Sequence, residues 1–358
     1  MDNSQDPTDL SHEVAALVSS IVTRFTSAQR HERSDPWDAA LWTELEELDL
    51  TTIGVDESHG GAGGTFVDAM AAAFELAKGS CAVPYVETVV GGWLLAASDQ
   101  PVPQGPFALL LDRELSGAVA DDGALVLDGR VPGVGWASVC ENLVGVCRSQ
   151  GRSLVFAVRA DQVRISSGAN LAGDPHDTVH LDGARTTLFT AVEDSGTGSA
   201  ASRRLALARA VQIAGAAERA LELAVTQGRE RTQFGRPIGS FQAIQHHLAI
   251  IAEEAELARI GAEAGLGSLD SGPDAEFATA VAKIISGQAA TTIAARTHQV
   301  LGAIGLTSEF ELQRITRRMW AWRDDAGTEA DWSQVAGTIV AAAGDEGLWP
   351  LLTARDRV

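Results

Sequence analysis

The sequence is poor in cysteine. There are three cysteines among 358 residues, Cys81, Cys140 and Cys147, and no Cys-x-x-Cys pair. An odd number without metal-ligand spacing argues against both a disulfide framework and a zinc site. We therefore expect free or buried thiols in a reducing compartment, which we take to be the cytoplasm.

Long apolar runs and an excess of positive charge are also missing. No run reaches the roughly 18 apolar residues that a membrane-spanning helix needs. The N-terminus, Met1-Asp2-Asn3-Ser4, lacks the basic-then-apolar order of a signal peptide. The net charge of −21 disfavours nucleic acid and anionic membrane surfaces, because both need a basic face. We expect neither as a partner.

Several common site signatures are absent as well. The glycines at 60, 61, 63 and 64 do not have dinucleotide-binding Gly-x-Gly-x-x-Gly spacing, and no Gly-x-Ser-x-Gly or Walker sequence occurs. His176 and His180 lie four residues apart, but no motif places a third ligand beside them. We predict no metal site.

Apolar residues, in contrast, are plentiful at 45%, and their period changes along the chain. The changes predict an α+β fold that is mainly α. We expect an N-terminal helical domain over 1–105, a small β-barrel-like domain over 106–195, and a C-terminal four-helix bundle over 200–358.

Helix-period stripes predict three helices in the first domain, over about 10–25, 37–48 and 66–78, the second starting at Asp35-Pro36. Short apolar runs separated by glycine turns predict antiparallel strands near 108–111, 125–129, 143–146, 154–158 and 178–181. Residues 195–199 read as a linker. The four bundle helices are predicted from the stripes Leu207 to Val225, Ile244 to Ala262, Phe277 to Thr291 and Leu312 to Trp322.

The most informative segment runs from Arg231 to Gln242, at the first joint of the predicted bundle. It reads Arg-Thr-Gln-Phe-Gly-Arg-Pro-Ile-Gly-Ser-Phe-Gln. A helix-loop-helix joint needs the turn but not the cation, amides and aromatics around it. A guanidinium grips phosphate oxygens, and amides hydrogen-bond the edges of a flat ring. The segment therefore indicates a ligand that carries both phosphate and a ring.

Six arginines are concentrated around this joint, and an anionic ligand would need such a positive patch. They are Arg203, Arg204, Arg209, Arg229, Arg231 and Arg236. For most of them we predict a solvated helix surface.

The domain order and the Arg231-Thr232-Gln233-Phe234-Gly235 motif resemble the acyl-CoA dehydrogenase family. A second match, Gln299-Val300-Leu301-Gly302-Ala303-Ile304-Gly305, resembles that family's Gln-x-x-Gly-Gly-x-Gly. A weaker third match is the glycine loop from Asp56 to Gly64, which resembles the family's Pro-Glu-x-x-Gly-Gly-x-Gly.

The resemblance implies FAD bound at a subunit interface, with these residues contacting it partly across that interface. The implied cofactor contacts are Arg231, Thr232, Gln233, Phe234, Phe241, Gln242, Gln299, Gly302 and Thr328. A simpler interpretation of Gly302 and Gly305 is that they end a helix after Val300.

The chain departs from the family at the catalytic base. The family's glutamate lies in a Tyr-Glu-Gly-Thr element, which falls here on Asp325-Ala326-Gly327-Thr328, so that Ala326 occupies the base position. An alternative base position used by some members falls on Leu205. We therefore predict no catalytic residue in this chain. The strands expected to contact the flavin ring, near 112–115 and 134–137, also keep little of the family pattern, and Trp136 there is expected in the core.

Three hypotheses follow from this pattern. The chain resembles the non-catalytic subunit of bacterial α2β2 acyl-CoA dehydrogenases that act on steroid side-chain CoA thioesters, in which an unlike subunit supplies the base. It could instead be a homomeric enzyme with a displaced base, for which Asp324, Asp325 and Glu329 are candidates, or a scaffold without flavin. In the first two cases the substrate is an acyl-CoA, whose acyl group the sequence does not indicate.

Overall fold

The computed structural model describes residues 7–28, 37–112, 114–192 and 196–353. The chain divides into two compact units, Met1–Leu205 and Ala206–Val358. The three-domain division predicted from the sequence is not tested by this split and stays a prediction. The proposed helix start at Asp35-Pro36 lies outside the described residues.

Four helices open the first unit: α1 (Pro7–Ala28), α2 (Ala39–Glu47), α3 (Phe66–Lys78) and α4 (Tyr85–Ala96). The predicted span of α3 is confirmed, since a capping box between Thr65 and Asp68 fixes where it starts. The sequence pattern did not predict α4. Ten of its twelve residues are buried. Its apolar residues therefore lie on all sides of the helix, and the sequence shows no single apolar stripe that would indicate a helix.

The strands that follow form one sheet. Their bounds are β1 (Phe107–Leu110), β2 (Ser116–Val119), β3 (Leu125–Gly135), β4 (Asn142–Ser149), β5 (Arg152–Arg159), β6 (Arg164–Ser166), β7 (His176–Thr186) and β8 (Phe189–Val192). The strand order is β6-β7-β3-β2-β4-β5-β8, with β1 beside β4. The predicted all-antiparallel arrangement is wrong, because β1 pairs with β4 in parallel. Strands β2 and β3 lie between β1 and β4 in the sequence and pair as an antiparallel hairpin. After this hairpin, β4 runs in the same direction as β1.

The core of this sheet is built from alternate strand positions. Leu110, Leu127, Leu143 and Phe156 are buried there, as period-two alternation requires. Trp136 belongs to the same cluster and is 7% exposed, which confirms its expected core role.

The predicted linker at 195–199 is wrong in its described part. Helix α5 (Thr197–Glu230) already begins at Thr197. Gly198 lies in its first turn, where an added Cβ would lie 3.6 Å from Val146 Cγ1, the distance of ordinary contact. A glycine near a helix end costs little, which is why a glycine-rich segment misled the prediction.

The second unit holds the rest of α5 and the helices α6 (Gln242–Gly267), α7 (Pro273–Leu301), α8 (Leu312–Asp324) and α9 (Glu329–Thr353). A two-strand hairpin, β9 (Thr232–Gln233) with β10 (Arg236–Pro237), joins α5 to α6. The four predicted bundle helices are present, and α9 is an additional one. It consists of two stretches joined at Gly344, which has a φ of 64°.

Small residues bring α6 and α7 close together. A Cβ on Gly265 would lie 2.4 Å from Leu207 Cδ1 and 3.2 Å from Ala282 Cβ, so only glycine fits there. The predicted stripe of α7 is wrong: Gln288 and Thr291 are exposed. The buried face is instead lined by small and weakly polar residues: Ala275, Thr279, Ala282, Ser286, Ala290 and Thr297.

Among the described residues, none of the helices has the length and apolar content needed to traverse a bilayer.

Candidate functional site

The hairpin between α5 and α6 presents an aromatic ring to solvent. Its turn residues Phe234 and Gly235 have φ angles of 51° and 78°, the positive values that a tight two-residue hairpin requires at both positions. Glycine adopts this conformation freely, whereas phenylalanine is strained in it. The Phe234 side chain is also 92% exposed. A strained, exposed phenylalanine indicates a binding role for the hairpin.

The structure brings the two sequence motifs together through Arg231. Its Nη1 donates to the carbonyl oxygen of Leu301 at 3.3 Å, at the C-terminal end of α7, where a cation is favourable. A Cβ on Gly302 would lie 3.5 Å from the same nitrogen. Arg231 is nevertheless exposed in the chain, which leaves part of its guanidinium free to grip an anion.

The two glycines of the second motif have structural roles as well. Gly302 ends α7 with a φ of 68°, and its amide donates to the His298 carbonyl. A Cβ on Gly305 would lie 3.0 Å from Leu312 Cδ2. The helix-end interpretation is thus confirmed for Gly302, and it is compatible with a ligand approaching the same backbone.

The other predicted contacts surround this joint. The Arg236 guanidinium carbon lies 4.2 Å above the ring of Phe241, and Phe234 meets Phe241 edge to face with 6.1 Å between ring centres. The remaining polar positions of the two motifs are exposed: Thr232, Gln233, Gln242 and Gln299. The joint therefore offers a cation, exposed amides and aromatic surface.

Thr328 lies at the start of α9 and caps it. Its amide and hydroxyl donate to Asp331 Oδ2 at 2.9 and 2.7 Å, and its hydroxyl accepts from the Asp331 amide at 3.3 Å. This is a capping box. The Thr328 hydroxyl is therefore used to cap α9, and the predicted cofactor contact of Thr328 stays a prediction.

Neither base position holds a group that can take a proton. Ala326 has a φ of 55°, and its carbonyl accepts from Trp332 Nε1 at 2.9 Å. Leu205 is half-buried.

The three candidate replacement bases all have partners. Asp324 is hydrogen-bonded to Arg323 at 2.8 Å, and Asp325 forms an ion pair with Arg209 at 2.8 Å. The Glu329 side chain packs over Gly287, where an added Cβ would lie 2.8 Å from Glu329 Cγ. Of the three, Asp324 is exposed, whereas Asp325 and Glu329 are half-buried.

Two of the six clustered arginines are exceptions to the solvated surface predicted for most of them. Arg204 and Arg209 are 6% and 5% exposed. Arg204 stacks on Trp93, with 3.7 Å from its guanidinium carbon to the ring centre. A guanidinium is weakly hydrated and planar, so aromatic stacking and bidentate pairing can compensate for its burial.

The sequence analysis missed Lys283, which is 1% exposed on α7. A signal was available, because this lysine stands between Ala282 and Ile284 on a helix otherwise poor in charge. Sequence reasoning passed over it because a lysine on a helix is usually solvated.

The cysteines are free and buried, as predicted. Burial raises the pKa of the Cys140 thiol well above its ordinary value. Within the described ranges, no group of three or more His, Cys, Asp or Glu side chains could hold a metal ion.

The donor set at the joint fits a flavin dinucleotide. Arg231 would hold the diphosphate of such a cofactor, Gly302 would leave room for it beside the backbone, and Phe234 and Phe241 would provide ring surface. A carboxylate close to Arg231 would compete with the phosphates, and the hydrogen bond described for this guanidinium goes to a carbonyl instead.

Comparison with known proteins identifies the family of the chain. Residues 5–99 match the family model described as "Acyl-CoA dehydrogenase, N-terminal domain", and residues 194–338 match "Acyl-CoA dehydrogenase, C-terminal domain". The chain belongs to the acyl-CoA dehydrogenase family, and it is an oxidoreductase of that kind.

Three similar proteins illustrate the relationship. The acyl-CoA dehydrogenase IpdE2 of Mycolicibacterium smegmatis is 26% identical over 318 residues, covering 86% of this chain and 90% of the relative. The crystal structure of the ChsE4-ChsE5 complex from Mycobacterium tuberculosis superimposes with a TM-score of 0.85 at 22% identity, over 95% of this chain and 99% of that one.

The structure of the Tcur3481-Tcur3483 steroid ACAD G363A variant gives a TM-score of 0.84 at 21% identity, over 94% of this chain and 99% of that one. At these identities the two structural likenesses show the acyl-CoA dehydrogenase fold.

Proposed function

We propose that this chain is one subunit of an FAD-dependent acyl-CoA dehydrogenase that removes hydrogen from Cα and Cβ of an acyl-CoA. It holds the ADP side of an FAD at a subunit interface, and an unlike acyl-CoA dehydrogenase subunit supplies the base. When bound, FAD accepts the hydride from Cβ. The expected assembly is α2β2.

The observation that carries the proposal is the contrast between two regions of the second unit. The phosphate-side joint is intact, with Arg231 set against the end of α7 at Gly302. The base position, in contrast, holds Ala326, which has no titratable group. Abstraction of the α proton needs a base within hydrogen-bond reach, so the base has to come from another chain.

Surface composition supports a partner at this joint. Besides Phe234, the segment after Gly302 exposes Ile304 to 48% and Leu306 to 71%. Exposed large apolar side chains beside a charged group are typical of protein interfaces. Of the two structural neighbours described above, one is the ChsE4-ChsE5 complex and the other is described as the Tcur3481-Tcur3483 steroid ACAD. We therefore propose a steroid side-chain CoA thioester as the substrate class.

Co-expression with candidate acyl-CoA dehydrogenase partners tests the proposal. We expect flavin to co-purify only with the right pair, and a steroid side-chain CoA thioester to bleach its absorbance near 450 nm under anaerobic conditions. Arg231→Ala in that pair should reduce flavin retention at least 10-fold, because a charge-assisted contact to phosphate contributes about 1.5–3 kcal/mol.

Arg259→Ala is the matched control. This arginine lies on α6, pairs with Glu256 and Glu263 and is remote from the joint in sequence, so the variant should retain flavin like the wild type. A lone chain that retained flavin and was reduced by an acyl-CoA would contradict the proposal.

A further inference from the structure

A network of charges built around two buried cations, Arg209 and Lys283, includes Asp325, the residue that precedes Ala326. Arg209 of α5 is 5% exposed. Its Nε and Nη2 both lie 2.8 Å from Asp325 Oδ2, and its Nη1 donates to Gln212 Oε1 at 2.8 Å. The residue beside Ala326 is therefore held by two charge-assisted hydrogen bonds from one guanidinium.

Lys283 of α7 holds the chain just before that residue. Its Nζ donates to the carbonyl oxygens of Trp322 and Arg323, at 3.0 and 2.6 Å. These carbonyls belong to the last turn of α8, which has no helical partner for them. A buried ammonium group thus caps α8 immediately before the segment Asp325–Thr328.

The segment itself has an unusual backbone that needs support. Ala326 and Gly327 have φ angles of 55° and 95°, and the first is strained for a residue with a side chain. The indole of Trp332 donates to the Ala326 carbonyl at 2.9 Å. A Cβ on Gly327 would lie 2.7 Å from Trp332 Nε1, so the turn is closed tightly around this tryptophan.

We propose that Arg209 and Lys283 are positioning residues that fix the Asp325–Thr328 segment, with the half-buried Asp325 held as the counter-ion of Arg209 and not used as a displaced base. The inference rests on the proposed function and deepens it, since it removes Asp325 from the possible bases. A carboxylate that took up the substrate's α proton would lose its ion pair with the buried Arg209 guanidinium, which costs free energy.

Tryptophan labelling reports on this segment directly. The full chain carries eight tryptophans, and 5-fluorotryptophan labelling gives each a ¹⁹F signal, with Trp332→Phe assigning the one of interest. Arg209→Met should move the Trp332 signal by at least 0.5 ppm and lower Tm by about 10 °C. Adding Asp325→Asn should recover at least half of that loss, because neither partner is then an unpaired buried charge.

Arg219→Met is the matched control. Arg219 is on the same helix and pairs with Glu311 at 2.6 Å, where both side chains are about one-third exposed. Its removal should leave the Trp332 signal in place.

Additive losses of Tm in the double variant, or an unmoved Trp332 signal in Arg209→Met, would overturn the proposal. If Arg209→Met does not fold, a folded double variant supports the coupling. If the double variant also fails to fold while Asp325→Asn folds, the coupling is refuted.

A second experiment, on flavin retention, distinguishes a failure of this proposal from a failure of the proposed function. In the co-purified pair, Arg209→Met should lower the ratio of flavin to protein, and the double variant should restore it. Unchanged retention in Arg209→Met would refute the positioning role. If even the wild-type pair holds no flavin, the proposed function fails, while the ¹⁹F and Tm results still decide the network.

Discussion

Lys283 is one of two lysines in the chain, and its ammonium group lies among charges. Burial lowers the pKa of Lys283 to about 8 from an ordinary 10.5, and the neighbouring Arg209 adds to the effect. Three nearby carboxylates raise the pKa of Lys283 and so oppose this effect: Asp325, Asp324 and Glu329. Between pH 8 and 10.5 the unfolded chain therefore binds a proton that the folded chain lacks. Because the unfolded chain binds more protons there, the contribution of Lys283 to the free energy of unfolding rises with pH between those two values.

We expect Lys283→Met to reveal this dependence. The difference in free energy of unfolding between wild type and Lys283→Met should change little below pH 7. It should then grow in favour of the wild type by up to about 3 kcal/mol towards pH 10.5. Urea unfolding at a series of pH values measures it. A difference that stayed flat with pH for Lys283→Met would refute the assignment.

At the scale of elements, the hairpin β9–β10 and the end of α7 form the joint through Arg231. Local pattern was sufficient to find these pieces, because glycines, a proline and a dense motif mark them. The same reasoning placed α3 correctly from Phe66 to Lys78. It failed on α4, which is apolar all round, and on α7, whose buried face of Ala, Ser and Thr has too little hydrophobic contrast to form a stripe.

The φ of 51° at Phe234 gives an element-scale prediction. Phe234→Gly should keep or slightly raise Tm, since glycine adopts this turn without the roughly 1–2 kcal/mol cost that a side chain carries there. Flavin retention in the co-purified pair should nevertheless fall, because the exposed ring is lost. Differential scanning calorimetry and the ratio of absorbance at 450 and 280 nm provide the two readouts.

Phe234→Tyr is the conservative control, since it keeps an aromatic ring on the same backbone, and it should retain flavin. Full flavin retention by Phe234→Gly would show that the hairpin ring is not used.

For the whole molecule, the order of helices, sheet and helices could be predicted from the sequence, because apolar periods of 3.6 and 2 change along it. The ion pair of the buried Arg209 with Asp325 could not, since the partners lie 116 residues apart and no local pattern links them. The identity of the partner and of the acyl group depends on surfaces that another chain completes. The chain carries a net charge of −21. A local positive patch at Arg231 and Arg236 would therefore be needed to attract an anionic cofactor.

The ratio of flavin to polypeptide in the purified complex tests the central claim most directly. Each flavin is expected to use the phosphate-side joint of this chain and the base of one unlike chain. We therefore predict one FAD for each pair of unlike chains, measured by absorbance after denaturation against quantitative amino-acid analysis. One FAD on every polypeptide, or a full complement of FAD on this chain purified alone, would contradict the account.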